Sequence, residues 1–430
     1  MAHATASRAY VELQERLNRF PQGAPPSDLL YRILELLFSE REAQLVAGLP
    51  IRPFTAAKAA RIWRMRKSQA QVVLEGLASR CVLLDVEGPD GTVYVLPPPM
   101  AGFFEFSMMR VRDDIDQQLL SELFYQYITV EDDFIVSLFT RGVTQLGRVF
   151  VNEPALAAGP IPDRALHVLD YERASEVIRT AEHMGVGVCY CRHKMEHVGR
   201  ACSAPKEICM TFGGTADSLI RHGYARRVDA AEGLDLLAEA RAQNLVQFGE
   251  NVQSGVAFIC NCCGCCCEAM IAARRFAALD SIHTTNYIAH VDDSLCNGCG
   301  RCVARCPVEA MTLVSANDPR RPHRRKAVVD DERCLGCGVC VGTCAPEGLW
   351  LEARPERVLT PVDTLHRTVL MAIERGKLQD CIFDNRALAS HRAMAAILGV
   401  ILRLPPTKQL LATEQMRSRY LVKLLERVRV

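Results

Sequence analysis

Between Val291 and Leu351 eight cysteines fall into two copies of one spacing, and nothing else in the chain constrains its folding as tightly. Cys296, Cys299, Cys302 and Cys306 are followed by Pro307, and Cys334, Cys337, Cys340 and Cys344 repeat the run C-x-x-C-x-x-C-x-x-x-C. Two residues between ligands let three thiolates of one tight loop reach three irons of a cube, so the spacing points to cubane iron-sulfur clusters. Gly298, Gly300, Gly336 and Gly338 sit inside the loops, where positive φ lets backbone N–H groups approach sulfur.

The repeat extends beyond the cysteines. Val291-Asp292-Asp293 answers Val329-Asp330-Asp331, Val303 answers Val341, and Glu309 answers Glu347. This implies a duplicated unit with a strand, a loop and a short helix per half. Over about sixty residues the segment resembles the bacterial two-cluster 4Fe-4S ferredoxins. That resemblance implies crossed ligation: Cys296, Cys299 and Cys302 with Cys344 for one cluster, and Cys334, Cys337 and Cys340 with Cys306 for the other. One departure is Cys344-Ala345-Pro346, where the family usually has proline directly after cysteine. The insert Asp318–Lys326 carries Arg320, Arg321, Arg324, Arg325 and Lys326, either a solvated loop or a docking patch for an acidic redox partner.

At 430 residues, nearly half of them apolar, the chain has room for roughly three domains with real cores. A net charge of +1 gives no global attraction to nucleic acid or membrane. Twenty cysteines in so long a chain, many at ligand spacing, argue for free thiolates in a reducing compartment rather than a secreted disulfide scaffold. Met1–Leu17 shows no secretory leader pattern and no run reaches the length of a spanning helix. A cytoplasmic location is therefore expected.

From Pro26 to Pro99 the pattern is helix, helix, helix, hairpin. Ser27 caps a run with Leu30, Ile33, Leu34 and Leu37 at helical spacing, and helices around Thr55–Trp63 and Ser68–Arg80 follow. Strands Cys81–Val86 and Thr92–Leu96 flank Gly88-Pro89-Asp90-Gly91. The order looks like a winged helix, which either binds DNA through Arg52, Lys58, Arg61, Arg64, Arg66 and Lys67 or serves dimerisation or docking. Met100–Ala165 reads as a helical connector broken at Pro154 and Pro160–Pro162, and His167–Leu169 as a strand entering a helix from Tyr171 to His183. After the ferredoxin-like segment, helices are expected at Thr360–Glu374, Ala387–Leu402 and Lys408–Val428.

Two further cysteine groups lie upstream. Cys189, Cys191, Cys202 and Cys209 suit a further cluster or a zinc site, with His193 or His197 able to replace one thiolate. Arg192 and Lys194 beside them would offset cluster charge, or simply be solvated. Cys260, Cys262, Cys263, Cys265, Cys266 and Cys267 form the run CNCCGCCC, which offers more thiols than the four protein positions of one cubane. As a strand the run would divide into Cys260, Cys262 and Cys266 against Cys263, Cys265 and Cys267. A helix beginning near Gly264 would instead gather Cys263, Cys266 and Cys267. The run either ligates a further 4Fe-4S cluster, holds a catalytic cluster with an open iron position, or carries redox-active or structural thiols. Cys81 and Cys381 lack partners in sequence and read as core thiols. The upstream cysteines together with Gly213-Gly214-Thr215-Ala216-Asp217 resemble multi-cluster ferredoxin-type proteins of anaerobic bacteria, a resemblance that brings no particular reaction.

The expected architecture is α+β and multidomain: a winged-helix-like unit over 1–100, a helical connector and Cys-rich α/β region over 101–290, a two-cluster ferredoxin unit over 291–352, and a helical segment over 353–430. The expected role is electron transfer between redox partners through two 4Fe-4S clusters and one or two more, with zinc as the upstream alternative. No nucleotide-binding fingerprint is present, so flavin or nicotinamide chemistry would come from another subunit. The remaining alternatives are a reductase acting at Cys260–Cys267 and a redox-responsive DNA regulator, and the chain is open to homo-oligomer formation.

Overall fold

The computed structural model describes residues 7–139, 141–156, 168–276, 282–384 and 388–403. The expected helix at Lys408–Val428, the prolines at 160–162 and His167 lie outside the described residues. The architecture mixes helices and sheets, as α+β requires.

The N-terminal part is helical because its apolar residues repeat at helical spacing and its helix starts are capped. Ser27 caps Asp28–Leu37, whose Leu30, Ile33, Leu34 and Leu37 are buried, and Ser39 with Glu42 forms a capping box on Glu40–Ala47. Helices Ala56–Trp63 and Lys67–Ala78 follow, then strands Leu84–Gly88 and Gly91–Val95, paired through a two-residue turn at Pro89-Asp90. Phe54–Thr55 adds to the other side of Gly91–Val95 and completes a three-stranded sheet.

The middle of the chain forms a six-stranded sheet, ordered Gly147–Val149, Val246–Glu250, Phe258–Cys262, Glu207–Phe212, Met184–Val188, Arg226–Arg227. All five pairings are antiparallel. The α/β expectation for this region is thereby corrected. The connection from Glu250 to Phe258 is too short for the crossover that a parallel pair needs. Residues expected to be a purely helical connector supply the edge strand Gly147–Val149. The strand expected at His167–Leu169 is absent from its described residues, and the helix there is shorter, Ala174–Thr180.

Two antiparallel strand pairs make the next unit: Tyr287–Val291 pairs with Leu349–Ala353 at its two ends, and Met311–Ser315 with Arg325–Val329 between them. Its two halves share backbone strain at matching positions. φ is +71° and +66° at Gly298 and Gly336, +75° and +81° at Gly300 and Gly338, and +58° and +56° at Glu309 and Glu347. A non-glycine residue in the left-handed region at the same place twice is a duplication written in the backbone. Helices Thr364–Glu374, Leu378–Ile382 and Ala389–Arg403 follow.

The parts share a core rather than standing as beads. One apolar cluster runs from Leu13 through Phe104, Phe124 and Met270 to Val339 and Leu351. Asp85 on the hairpin accepts hydrogen bonds from Ser218 (2.6 Å) and Arg221 (2.6 Å), and Arg52 pairs with Asp384 at 3.1 Å. Among the described residues no helix is long and apolar enough to cross a membrane.

Candidate metal centres

Cys344 lies within electrostatic range of Cys296 and Cys299, and Cys306 within that of Cys334. Burial pushes the thiols of Cys302, Cys306, Cys340 and Cys344 up, and that of Cys337 to about 12, so each needs metal or hydrogen bonds to ionise. Backbone donors are in place: Ala310 N–H donates to Cys306 Sγ at 3.2 Å and Ala327 N–H to Cys296 Sγ at 3.4 Å. Four thiols per group, with N–H groups aimed at sulfur, fit a 4Fe-4S cluster in each half. In the insert, Arg324 donates to the carbonyls of Asp293 and Cys296 and Lys326 pairs with Asp293, which leaves Arg320, Arg321 and Arg325 exposed.

The ten upstream cysteines are re-sorted by the fold. Cys202, Cys263, Cys265 and Cys266 form one cage, with all sulfurs within 4.8 Å of one another. Three of its edges are 3.6 Å (Cys202–Cys263), 3.7 Å (Cys265–Cys266) and 3.8 Å (Cys202–Cys266). Thiolates bound at about 2.3 Å around one tetrahedral ion would stand about 3.8 Å apart. A cubane, with an iron behind each thiolate, would spread them to about 6 Å. The cage therefore has the dimensions of a single-ion site.

The other six, Cys189, Cys191, Cys267, Cys262, Cys260 and Cys209, form a ring in that order, each thiol close enough to shift the ionisation of the next. The contact between Cys262 and Cys267 is 3.2 Å. Interaction with neighbouring thiols holds Cys189, Cys267 and Cys260 low, Cys260 at about 6, while Cys191, Cys262 and Cys209 are raised. Cys189 caps helix Tyr190–His197 and Cys267 caps Glu268–Arg275, so two helix N-termini face the ring.

Neither division expected for the Cys260–Cys267 run is observed. The strand ends at Cys262 and the helix starts only at Glu268, so the turn at Gly264 throws Cys263, Cys265 and Cys266 to the cage and returns Cys267 to the ring. The grouping of Cys202 with Cys189, Cys191 and Cys209 is corrected for the same reason. Cys202 lies on the loop before the strand Glu207–Phe212 and reaches over to the turn. The histidines are otherwise engaged: His193 Nδ1 is 2.7 Å from the Met108 carbonyl, and its Nε2 is 3.3 Å from His197 Nε2. Cys81 is buried, its thiol raised to about 12, and Cys381 sits among the C-terminal helices with its thiol raised likewise to about 12, both by burial.

The cations beside the sulfurs are buried rather than solvated. Arg192, 1% exposed, donates to the carbonyls of Pro205 and Asn261, both at 2.8 Å. Burial works to lower its basicity, but the charges of Cys189, Cys263, Cys209 and Cys262 prevail and raise it, which places the guanidinium between ring and cage. Lys194 is fully buried and pairs with Glu268.

A cavity of about 320 Å³ opens beside the ring, lined by ring cysteines with Met100, Phe106, Met109, Phe258 and Glu105. Glu105, a lone carboxylate in the aromatic run Phe103–Phe106, went unnoticed in the sequence. Burial raises its carboxyl to about 7, against the pull of the Gly102 and Ala101 N–H groups, which donate to it at 3.0 and 2.7 Å. Because the folded value lies above the ordinary 4.5, its stabilising share is complete below about pH 4.5 and lost as pH rises to about 7. Glu105→Gln is accordingly expected to flatten the fall in melting temperature between pH 5 and pH 8. A profile as steep as that of the parent chain would show that Glu105 ionises normally.

A family model described as a 4Fe-4S dicluster domain matches residues 295–347. The match lies between the outer strands of this unit and takes in all eight of its cysteines, so the segment is an iron-sulfur ferredoxin-type domain. No curated protein and no solved structure matches the chain.

Proposed function

We propose that this chain carries electrons between redox partners, entering or leaving through the ferredoxin-type domain and continuing toward the sulfur sites of the central sheet. The carrying observation is one contact. Pro307 directly follows Cys306, and it lies so close to Gly264 of the CNCCGCCC turn that a Cβ there would sit 2.7 Å from its carbonyl oxygen. Backbone thus joins a cysteine of the ferredoxin-type domain to the turn that carries the cage.

Each 4Fe-4S cluster, when bound, takes up and releases one electron at low potential. In our reading Cys296, Cys299, Cys302 and Cys344 hold one, and Cys334, Cys337, Cys340 and Cys306 the other. Arg320, Arg321 and Arg325 offer an acidic redox partner, such as a flavin or nicotinamide subunit, a place to dock. The cage holds a single tetrahedral ion, zinc, which is redox-inert and clamps the turn against Pro307. A reducing, cytoplasmic setting suits so many free thiols.

Anaerobic reduction of the full chain with excess low-potential donor is expected to deliver at least about two electrons per chain. About one zinc should be present, and Cys202→Ser should lose it while the two electrons remain. A chain that takes up no electrons would sink the electron-transfer reading.

A second reading, a reductase acting at the Cys260–Cys267 run, is favoured by the cavity, which sets Glu105 and an apolar wall beside the ring. The N-terminal unit we read as an internal docking module with winged-helix topology. Its hairpin is engaged by Ser218, Arg221 and His222, and Arg52 by Asp384. Duplex binding that weakens with salt would reinstate the DNA reading.

A further inference from the structure

The contacts within the ring suit sulfur–sulfur chemistry. Cys262 and Cys267 stand 3.2 Å apart, closer than two thiolates on one tetrahedral ion, about 3.8 Å, and far closer than thiolates on neighbouring irons, about 6 Å. Among the described residues the cage is the one group of three or more ligand atoms that all lie within 4.8 Å of one another, so no three ring sulfurs converge on a point that an ion could fill. Charge agrees. Six thiolates would bring about six negative charges into the interior, against Arg192 and a Lys194 already matched by Glu268. Thiols and disulfides are neutral, so such a ring can be buried in either state.

The closest pair is held from both sides. Cys262 ends the strand Phe258–Cys262, and Cys267 caps the helix Glu268–Arg275. Between them the turn gives Cys263, Cys265 and Cys266 to the cage, and Gly264 is held against Pro307. A clamped turn thus has one ring cysteine at each foot, and the clamp keeps the two feet together. The covalent state nearest to two sulfurs in contact is a disulfide, with its bond of about 2.05 Å. The same turn touches the residue that follows Cys306, so the pair lies next to the ferredoxin-type domain.

Both cysteines line the cavity of about 320 Å³, whose apolar walls include Met100, Phe106, Met109 and Phe258. Tyr190 lines it too, and its buried hydroxyl has no hydrogen-bond partner within the protein. Leaving a buried O–H unpaired is costly, and an acceptor carried in by a ligand would satisfy it.

We propose that Cys262 and Cys267 are a redox-active dithiol, supplied with electrons by the ferredoxin-type domain, that reduces a small, largely apolar disulfide bearing a carbonyl group in this cavity. This deepens the reductase reading and rests on the electron-transfer reading for its source of electrons. In one half of the cycle the Cys262–Cys267 disulfide takes up two electrons and two protons, its S–S bond breaks and two thiols form. In the other half one of these sulfurs attacks the substrate disulfide and releases a first product thiol. Its partner then attacks the resulting mixed disulfide, releases the second product thiol and restores the Cys262–Cys267 bond. The substrate thereby gains two electrons and two protons, with its carbonyl oxygen accepting from the Tyr190 hydroxyl.

The test uses the full chain, purified anaerobically with its iron. After oxidation with diamide, alkylation and peptide mass mapping are expected to show a Cys262–Cys267 linkage. Reduction with a low-potential donor should then consume about four electrons per chain, about two in the ferredoxin-type domain and about two in the disulfide. The probe is the dimethyl ester of dithiodipropionic acid, which the reduced parent should cleave to its thiol and which Cys262→Ser and Cys267→Ser should leave intact. Tyr190→Phe should keep the linkage and raise KM for the probe about tenfold, the share of one hydrogen bond. A parent that takes up only about two electrons and forms no such linkage overturns the dithiol and leaves the electron-transfer reading standing. A parent that forms the linkage but has no reducible clusters overturns the electron-transfer reading on which the proposal rests. A linkage without cleavage of the probe, or an unchanged KM in Tyr190→Phe, overturns the assignment of the substrate to this cavity. Should a serine variant fail to fold, the parent's own mass map and electron count still decide.

Discussion

Gly336→Ala is expected to strip about four irons from each chain, the content of one cluster, and to destabilise the ferredoxin-type domain by roughly 3 kcal/mol or more. Gly336 sits at φ +66°, and a Cβ there would lie 2.0 Å from the Tyr287 carbonyl oxygen and 2.2 Å from Thr285 Oγ1. Neither neighbour is free to retreat. Thr285 Oγ1 donates to the Gly336 carbonyl at 2.9 Å, and Tyr287 begins the strand paired with Leu349–Ala353. The added methyl must therefore displace the loop that carries Cys334, Cys337 and Cys340. Left-handed strain adds about 1–2 kcal/mol to the steric term. Gly342→Ala is the control, because a Cβ there meets nothing within 4 Å. Iron analysis and thermal melting of the two variants side by side test this. Equal iron in both would mean that the loop conformation differs from the one described.

The buried pair of Lys194 and Glu268 predicts the second large effect. Burial lowers the Lys194 ammonium to about 8, while the charges of Cys191, Cys267 and Cys266 oppose that shift, and Tyr125 and Tyr190 present their rings at 5.7 and 5.9 Å. Lys194→Met would leave a carboxylate uncompensated beside a ring of sulfurs. Removing one partner of such a pair typically costs about 3–5 kcal/mol, whereas replacing both with apolar residues is often close to neutral. Chemical denaturation of Lys194→Met, Glu268→Leu and the double variant should show two strongly destabilised singles and a double that regains most of the loss. Additive losses in the double variant would mean that each residue has its own role and the pair is not the unit.

The ferredoxin-type domain could be read from the chain because its determinants are local. Three ligands and two glycines fall within seven residues, and the second copy repeats them. The helices Asp28–Leu37, Ala56–Trp63 and Lys67–Ala78 were equally legible as helical stretches, the first from apolar spacing and the cap Ser27. Two signals for the ring were also present: the alternation of Cys260 with Cys262, and the placement of Cys189 and Cys267 just before helical stretches. Their significance depended on which strands pair. The register Met210↔Ile259 is what brings Cys209 beside Cys260, and no spacing within either segment encodes it.

Sequence alone therefore determined that the chain binds iron-sulfur clusters and where its duplicated unit lies, since ligands close in sequence are close in space whatever the rest of the chain does. Only the tertiary structure decided how the ten upstream cysteines divide into a cage of four and a ring of six. The ring draws its members from separate strands and helices, and the turn at Gly264, held against Pro307, sends adjacent cysteines to different centres. Burial of Arg192 and Lys194 around those sulfurs, and the placing of Glu105 in the cavity wall, were likewise settled by long-range packing, because a charged side chain in sequence carries no mark of the interior that will enclose it.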